Sequence, residues 1–484
     1  MFNTHNTRGL YIGKPEAEAE SASNKLGNFF EDFLDIEGNI NNGAFIISGR
    51  KGSGKSAYAM WIHSRSSERN QMWSTIIRKN EFDIEKMVQS IPDDKMKYEA
   101  FFEWLILIRL IKLILSTNIG TYTPECRALG DFMKKNSGYV DIDKYLISEI
   151  LENREVNFAP LNTKFGFFSR FFGYKKTKAP FYQMITPLRE TVIQVLSMEI
   201  FVELKFFVMF DDLDVKFKLT REGDRQMLMD LIRIAKRYNT EYLRRSNAKV
   251  LLFVRDDIID GLEGIEGGDV NKIFSSYEYR ISWYEHDSAC TDERNVLLRK
   301  FINKRLAILF KQKGWRFNED DPWQTFVAPL DSQKSSFKYV LDHTFYLPRD
   351  IVTIFNNVGQ RDFRLPISFQ NLKSLINEYS LVKKKEIVDE LIVHFDREEV
   401  DKIFNVLLEL SNEQRSYHEL MDIFDEYKLS RSMFDVLLEY SLIIPRDADN
   451  HLYFNYREKS ARHINYNNCV FRLPKVLYVY FRER

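Results

Sequence analysis

Residues 44–56 read AFIISGRKGSGKS, and no other stretch constrains the fold as tightly. A short apolar run enters a glycine-rich loop, and Ser56–Ser64 continues with the spacing of a helix. That order predicts a buried strand, a loop and a helix. Glycines reach backbone angles closed to other residues, so successive N–H groups can turn inward on an anion. The helix dipole favours the same anion. The spacing G-x-x-x-x-G-K-[ST] is met by Gly49, Gly54, Lys55 and Ser56. Such a loop cradles a triphosphate, with the lysine on the β- and γ-phosphates and the hydroxyl on Mg2+. The candidate cradle is therefore Gly49, Arg50, Lys51, Gly52, Ser53, Gly54, Lys55, Ser56 and Ala57. ATP and Mg2+ are the expected cofactors.

A phosphate loop of this kind needs a carboxylate at the end of a neighbouring strand. The run FFVMFDDLD at 206–214 supplies one. Asp211 is positioned as the Mg2+-associated acid beside Ser56. Asp212 is positioned to polarise the attacking water. Asp214 could orient either acid. Two arginines join the candidate set. Arg255 ends the strand-like run KVLLFV, where it either faces the γ-phosphate or pairs with Asp256 or Asp257. Arg349, in LPRD, either leans over the nucleotide or pairs with Asp350. Arg244 and Arg245 are weaker candidates for a finger offered to a neighbouring subunit.

Further strands are expected at 206–210, 249–254 and 277–283, with a helix near 222–240 between the first two. Apolar strands alternating with helices imply an α/β fold with a parallel sheet covered on both faces. The expected organisation is a leader at 1–40, a P-loop core at 41–290 with a mostly helical insert at 85–200, a helical lid at 291–380 and a C-terminal domain at 381–484. In that last domain, helices at 414–427 and 430–442 are followed by a turn at Arg446–Asn450 and the run HLYFNYR, the order of a winged helix.

Composition narrows the function classes. In 484 residues, Lys+Arg and Asp+Glu both total 70, so no global field draws the chain to nucleic acid or membrane. Cys126, Cys290 and Cys469 lie far apart, which argues against a zinc site or a disulfide framework and suggests a reducing cytoplasm. Phe101–Leu115 is apolar but carries Glu103, Arg109 and Lys112, and it reads as a buried helix rather than a membrane span. The stretch TKFGFFSRFFGYKKTK at 163–178 reads as a loop burying its phenylalanines rather than a membrane-surface insertion. The helix SRSMFDVLLEYS offers Arg431 against Asp435 and Glu439, which favours protein packing over DNA reading. The tail carrying Arg462, Arg472, Lys475, Arg482 and Arg484 is more basic.

GRKGSGKS, VMFDDLD, KVLLFVRDDI and YLPRDI, in that order, resemble bacterial P-loop ATPases allied to the AAA+ and STAND groups, and the DDLD acids are similar to those of the KAP ATPases. The resemblance implies an ASCE-type sheet, a helical lid and a winged-helix-like C-terminus. It also implies a regulatory ATPase of the kind found in bacterial antiviral loci, acting as a homo-oligomer on an effector protein partner. The alternative is a nucleic-acid-engaging motor or loader. Arg255 departs from the pattern, because ordinary AAA+ proteins place Asn, Ser or Thr there. The long separation of Ser56 from Asp211 departs as well and marks the insert.

Overall fold

The computed structural model describes residues 5–482 apart from 23–24, 68, 70, 79–96, 118–122, 137–154, 166–170, 172–175, 214–216, 218–220, 267, 285–289, 331–334, 393 and 457–463. Asp214, Arg462, Arg484 and most of the 163–178 stretch thus lie outside the described residues. The chain divides into two units. One comprises Asp35–Lys51 and Lys55–Ile281, and the other Met1–Leu34, Gly52–Gly54 and Ser282–Arg484.

The first of these is α/β. Its sheet contains β1 (Ile46–Gly49), β2 (Met72–Arg78), β5 (Lys205–Asp211), β6 (Asn247–Arg255) and β7 (Glu278–Ile281). All pairings are parallel, in the spatial order β2-β5-β6-β1-β7. The runs IIS, FFVMF and VLLFV are buried on both faces, as a parallel sheet covered by helices requires. The strand β2, MWSTIIR, is absent from the expected set. It is rich in β-branched residues, but its central Ser74 and Thr75 break the apolar run that marks the other strands.

Between β2 and β5 the described residues are mostly helical. The helix Lys97–Ser116 is buried at every position from Phe101 to Ile111, and it packs against the helices Phe181–Leu196 and Glu222–Arg237 and against β2 and β5. A helix apolar all round belongs in an interior. Its buried Glu103 accepts from Arg189 Nη1 at 2.6 Å and Tyr238 Oη at 3.3 Å, so the charge is not left bare. A short antiparallel pair, β3 (Val156–Asn157) with β4 (Lys178–Ala179), completes this region. None of the described helices is long and apolar enough to cross a membrane.

The other unit is largely helical, and the N-terminal segment is part of its interior. Arg305, on the helix Leu297–Gln312, donates to Glu20 at 2.6 and 2.9 Å and to the Ile12 carbonyl at 3.0 Å, all buried. A Cβ on Gly359 would lie 1.9 Å from the Leu10 carbonyl oxygen, so the segment threads a space that only glycine leaves open. Arg299 forks onto buried Asp321 at 2.8–3.1 Å. Lys383 reaches buried Asp350 at 3.0 Å.

The C-terminal part carries the helices Tyr417–Glu426 and Arg431–Glu439 and an antiparallel sheet ordered β8 (Arg415–Ser416), β10 (Val470–Arg472), β9 (Ile444–Arg446). Both helices start on serines, and Ser416 forms a reciprocal capping box with Glu419. β9 pairs with β10, and on its other side HLYFNYR returns as expected: Leu452 bridges Arg446 and the Tyr453 N–H donates to the Pro445 carbonyl at 3.0 Å. Asp447 ties the intervening turn by accepting from His451 N and Tyr453 Oη, both at 2.8 Å.

Candidate functional site

The glycine loop leaves β1 at Gly49 and ends in the helix Lys55–Ser64. Gly52 (φ 85°) and Gly54 (φ 106°) hold left-handed backbone that side chains rarely adopt, which is why the loop needs glycine there. Lys55 Nζ folds back inside the loop, donating to the Gly49 carbonyl at 2.6 Å and the Arg50 carbonyl at 3.1 Å. A phosphate is a stronger acceptor than either carbonyl for an ammonium so placed. Lys51 is exposed, Arg50 half-buried and Ala57 half-buried at the start of the helix.

Ser56 Oγ donates to Asp211 Oδ1 at 3.2 Å. The second oxygen, Asp211 Oδ2, is buried with no hydrogen-bond partner in the protein. Burial, then repulsion from Asp212, pushes the Asp211 carboxyl up to about 7, against the pull of Ser56, Lys55 and Arg78. Hard oxygen donors of this kind, a serine hydroxyl beside a buried carboxylate, fit Mg2+. Asp212 follows the strand with φ 53°, an outlier for a residue with a side chain.

Two groups that sequence reasoning missed complete this side. Arg78 ends β2 in register with Asp211, and its Nε lies 3.7 Å from Asp212 Oδ2. Asp256 opens the helix after β6. Its pKa is raised by burial and by Asp257, while Arg50 and Lys55 pull it back. Arg78 was hidden because β2 was hidden, whereas Asp256 was visible only as a partner for Arg255.

Arg255 does stand at the exit of β6, in register with Gly49. Its fork, however, closes on Asp257, with Nε donating to Oδ1 at 3.0 Å and Nη2 to Oδ2. Of the two expectations for Arg255, the pairing is the arrangement found, because Asp257 lies within two residues on the helix that β6 feeds. Arg244 and Arg245 are exposed in the turn before β6.

In the other unit, the loop residues Gly52–Gly54 meet two more groups. Trp283 Nε1 donates to the Ser53 carbonyl at 2.9 Å. The stem of Arg349 fills the space above Gly52, where an added Cβ would lie 3.0 Å from Arg349 Cβ and 3.1 Å from Cδ. Asp350 is engaged by Lys383 and by the Phe345 N–H at 2.8 Å, so the Arg349–Asp350 pairing does not form. Arg349 Nε and Ser53 Oγ are both buried with no hydrogen-bond partner in the protein.

Residues 296–388 match the family model described as the FunZ-associated C-terminal helical domain. No P-loop or AAA+ family model, curated protein or solved structure matched. The matched segment contains Arg299, Arg305, Asp321, Arg349, Asp350 and Lys383, so the Arg299–Asp321 and Lys383–Asp350 pairs and the arginine above Gly52 fall within it, whereas Glu20, the partner of Arg305, lies outside it.

Proposed function

We propose that the chain binds a nucleoside triphosphate, taken as ATP, with Mg2+ at Gly49–Ala57 and hydrolyses it. One observation carries the reading: Ser56 donates to one oxygen of Asp211, while the other oxygen is buried and unsatisfied. In this reading Ser56 and Asp211 hold Mg2+, which would supply charge neutralisation to the transferred phosphoryl group. Lys55 exchanges its loop carbonyls for phosphate oxygens. Asp212 orients the attacking water and accepts its proton, and Arg78 fixes Asp212. Arg349, its stem against Gly52, contributes a guanidinium to the phosphates. Arg255, clamped by Asp257, supports the loop strand and leaves the catalytic set.

The sheet order favours the ASCE-type reading, since β6 stands between the loop-bearing β1 and the acid-bearing β5. Two helices, the first with a capping box, and a three-stranded antiparallel sheet likewise favour a winged-helix-like C-terminus. The matched family is linked to bacterial defence systems, which supports a regulatory switch that oligomerises and controls an effector in that setting.

The test is titration of labelled ATP and GTP, with and without Mg2+, onto wild type and Lys55→Ala. Mg2+-dependent binding lost in the variant is expected, and undiminished affinity in Lys55→Ala sinks the proposal. Sedimentation with and without ATP and Mg2+ tests the oligomer.

A further inference from the structure

The helix Phe369–Leu391 carries apolar side chains on two sides. Leu372, Leu375, Ile376, Tyr379 and Ile387 are buried. On the far side, Leu381, Val382 and Ile392 are 49%, 44% and 39% exposed, and Val388 is half-exposed. A surface helix ordinarily gives that face to polar residues. Here Leu381, Lys385, Val388 and Ile392 follow one another in alternating steps of four and three residues, the spacing of a coiled-coil seam. Ile392 caps the helix with helical backbone, so the seam runs unbroken to the end. Exposed apolar residues scattered singly need no explanation, but a stripe in register does.

Two charges share this face, Lys385 and Asp389. Both are exposed, and neither makes an ion pair among the described residues. They stand one turn apart with the lysine first, the poorer order for a pair within one helix. The charges beside them are engaged within the chain. Lys383 donates to Asp350 at 3.0 Å and to Glu386 at 3.1 Å, and the Lys384 ammonium lies over the Phe404 ring at 4.8 Å. The apolar seam therefore carries one cation and one anion that the fold does not use.

We propose that this face docks a second copy of the chain, antiparallel, about a twofold axis crossing the helix between Glu386 and Ile387. That axis sets Leu381 against Ile392 of the second copy, and Lys385 beside Val388 and Asp389 of the second copy. Each unused charge then meets its opposite, and the twofold repeats the match on the other side. A parallel pairing would set Lys385 on Lys385 and Asp389 on Asp389, which like-charge repulsion disfavours. This self-complementarity selects a second copy over an unrelated helix. The seam is short against the ~1,200–2,000 Å2 of a standard interface, so the contact is a weak one. It is independent of the glycine loop and needs no nucleotide.

The experiment is sedimentation equilibrium of the full chain without nucleotide, from about 1 to 100 μM, the range of a weak contact. Wild type is expected to rise towards twice the monomer mass. Leu381→Gln/Ile392→Gln, both at exposed positions, should associate at least about tenfold more weakly through lost apolar burial. Lys385→Glu and Asp389→Lys should each lose at least about tenfold through like-charge contact. An equimolar mixture of those two single variants should regain association, because each then faces opposite charges on the other. Lys55→Ala should associate as wild type does, so failure of the triphosphate reading shows separately. The proposal is overturned if wild type stays monomeric at the highest concentration, which leaves the face to another protein, or if it associates only with ATP and Mg2+. It is overturned equally if Lys385→Glu associates as wild type does, or if the mixture stays monomeric.

Discussion

Arg78 ends β2 and Asp212 directly follows its parallel neighbour β5, with Nε 3.7 Å from Oδ2. At that distance the pair is a loose one, and Asp212 is half-exposed. The arginine therefore steers the carboxylate more than it stabilises the fold. Arg78→Gln should lower kcat by about tenfold while nucleotide affinity stays within about threefold, because Asp212 keeps its place but loses its orientation. Asp212→Asn should go further, by ~10²–10⁴ in kcat, the usual worth of a general base. Steady-state turnover and equilibrium binding on the same preparations check both. Parallel losses in affinity and kcat would reduce Arg78 to a structural residue.

Asp211 gives a pH signature. Its carboxyl titrates near 7 in the fold against an ordinary value of 3.8. The folded state is therefore relatively favoured while the group is protonated, below about pH 4, and that advantage is lost as pH rises through 7. Asp211→Asn cannot ionise and escapes the loss. Without nucleotide, the variant should match wild type near pH 4 and exceed it by up to about 4 kcal/mol at pH 8. It should also lose the Mg2+-dependent part of nucleotide stabilisation. Urea unfolding at pH 4, 6 and 8 measures the first effect, and thermal shift with Mg2+ and ATP the second. A variant less stable than wild type at pH 8 contradicts the assignment.

Arg349 and Gly52 test each other. Arg349→Ala should weaken ATP binding by about tenfold through loss of a charged donor. Gly52→Ala should abolish binding, because the added methyl group meets the Arg349 stem and the left-handed backbone excludes it. The double variant clears the contacts with Cδ and Nε but keeps Arg349 Cβ, 3.0 Å from the added methyl group, together with the backbone conflict, so it should stay inactive. Recovery of binding in the double variant would show that contact with the Arg349 stem beyond Cβ makes Gly52 necessary.

The N-terminal segment is a stability element. Glu20→Ala leaves Arg305 buried without its carboxylate, and a loss of about 3–5 kcal/mol is expected. Gly359→Ala should be as damaging, since its methyl group would occupy the place of the Leu10 carbonyl. Chemical denaturation of each variant measures these effects. The effect of Glu20→Ala should persist at high salt, because a pair that is 3% and 5% exposed is little screened.

The readable parts of this sequence were those in which chemistry and periodicity coincide. GRKGSGKS carries its own geometry, and FFVMFDD is a buried strand ending in acids, so the loop and the Asp211 partner of Ser56 could be named without coordinates. The strand MWSTIIR was not legible, since Ser74 and Thr75 interrupt its apolar run, and Arg78 was lost with it. Arg255 was left between two roles because a strand-end arginine followed by two acids fits either. Only geometry shows that Asp257 takes it. The docking of residues 5–34 onto the helix Leu297–Gln312 was invisible for another reason: no periodicity records that Glu20 and Arg305, so distant in the chain, form one buried pair.

That pair bears on how the molecule can be cut. A fragment chosen by sequence boundaries, such as 291–484, would begin after the leader and look like a self-contained helical module. It would carry Arg305 with no anion and an open slot at Gly359 where Leu10 belongs. The module's true edge runs through two distant parts of the gene product, so a soluble fragment has to carry residues 5–34 as well, fused or added as a peptide.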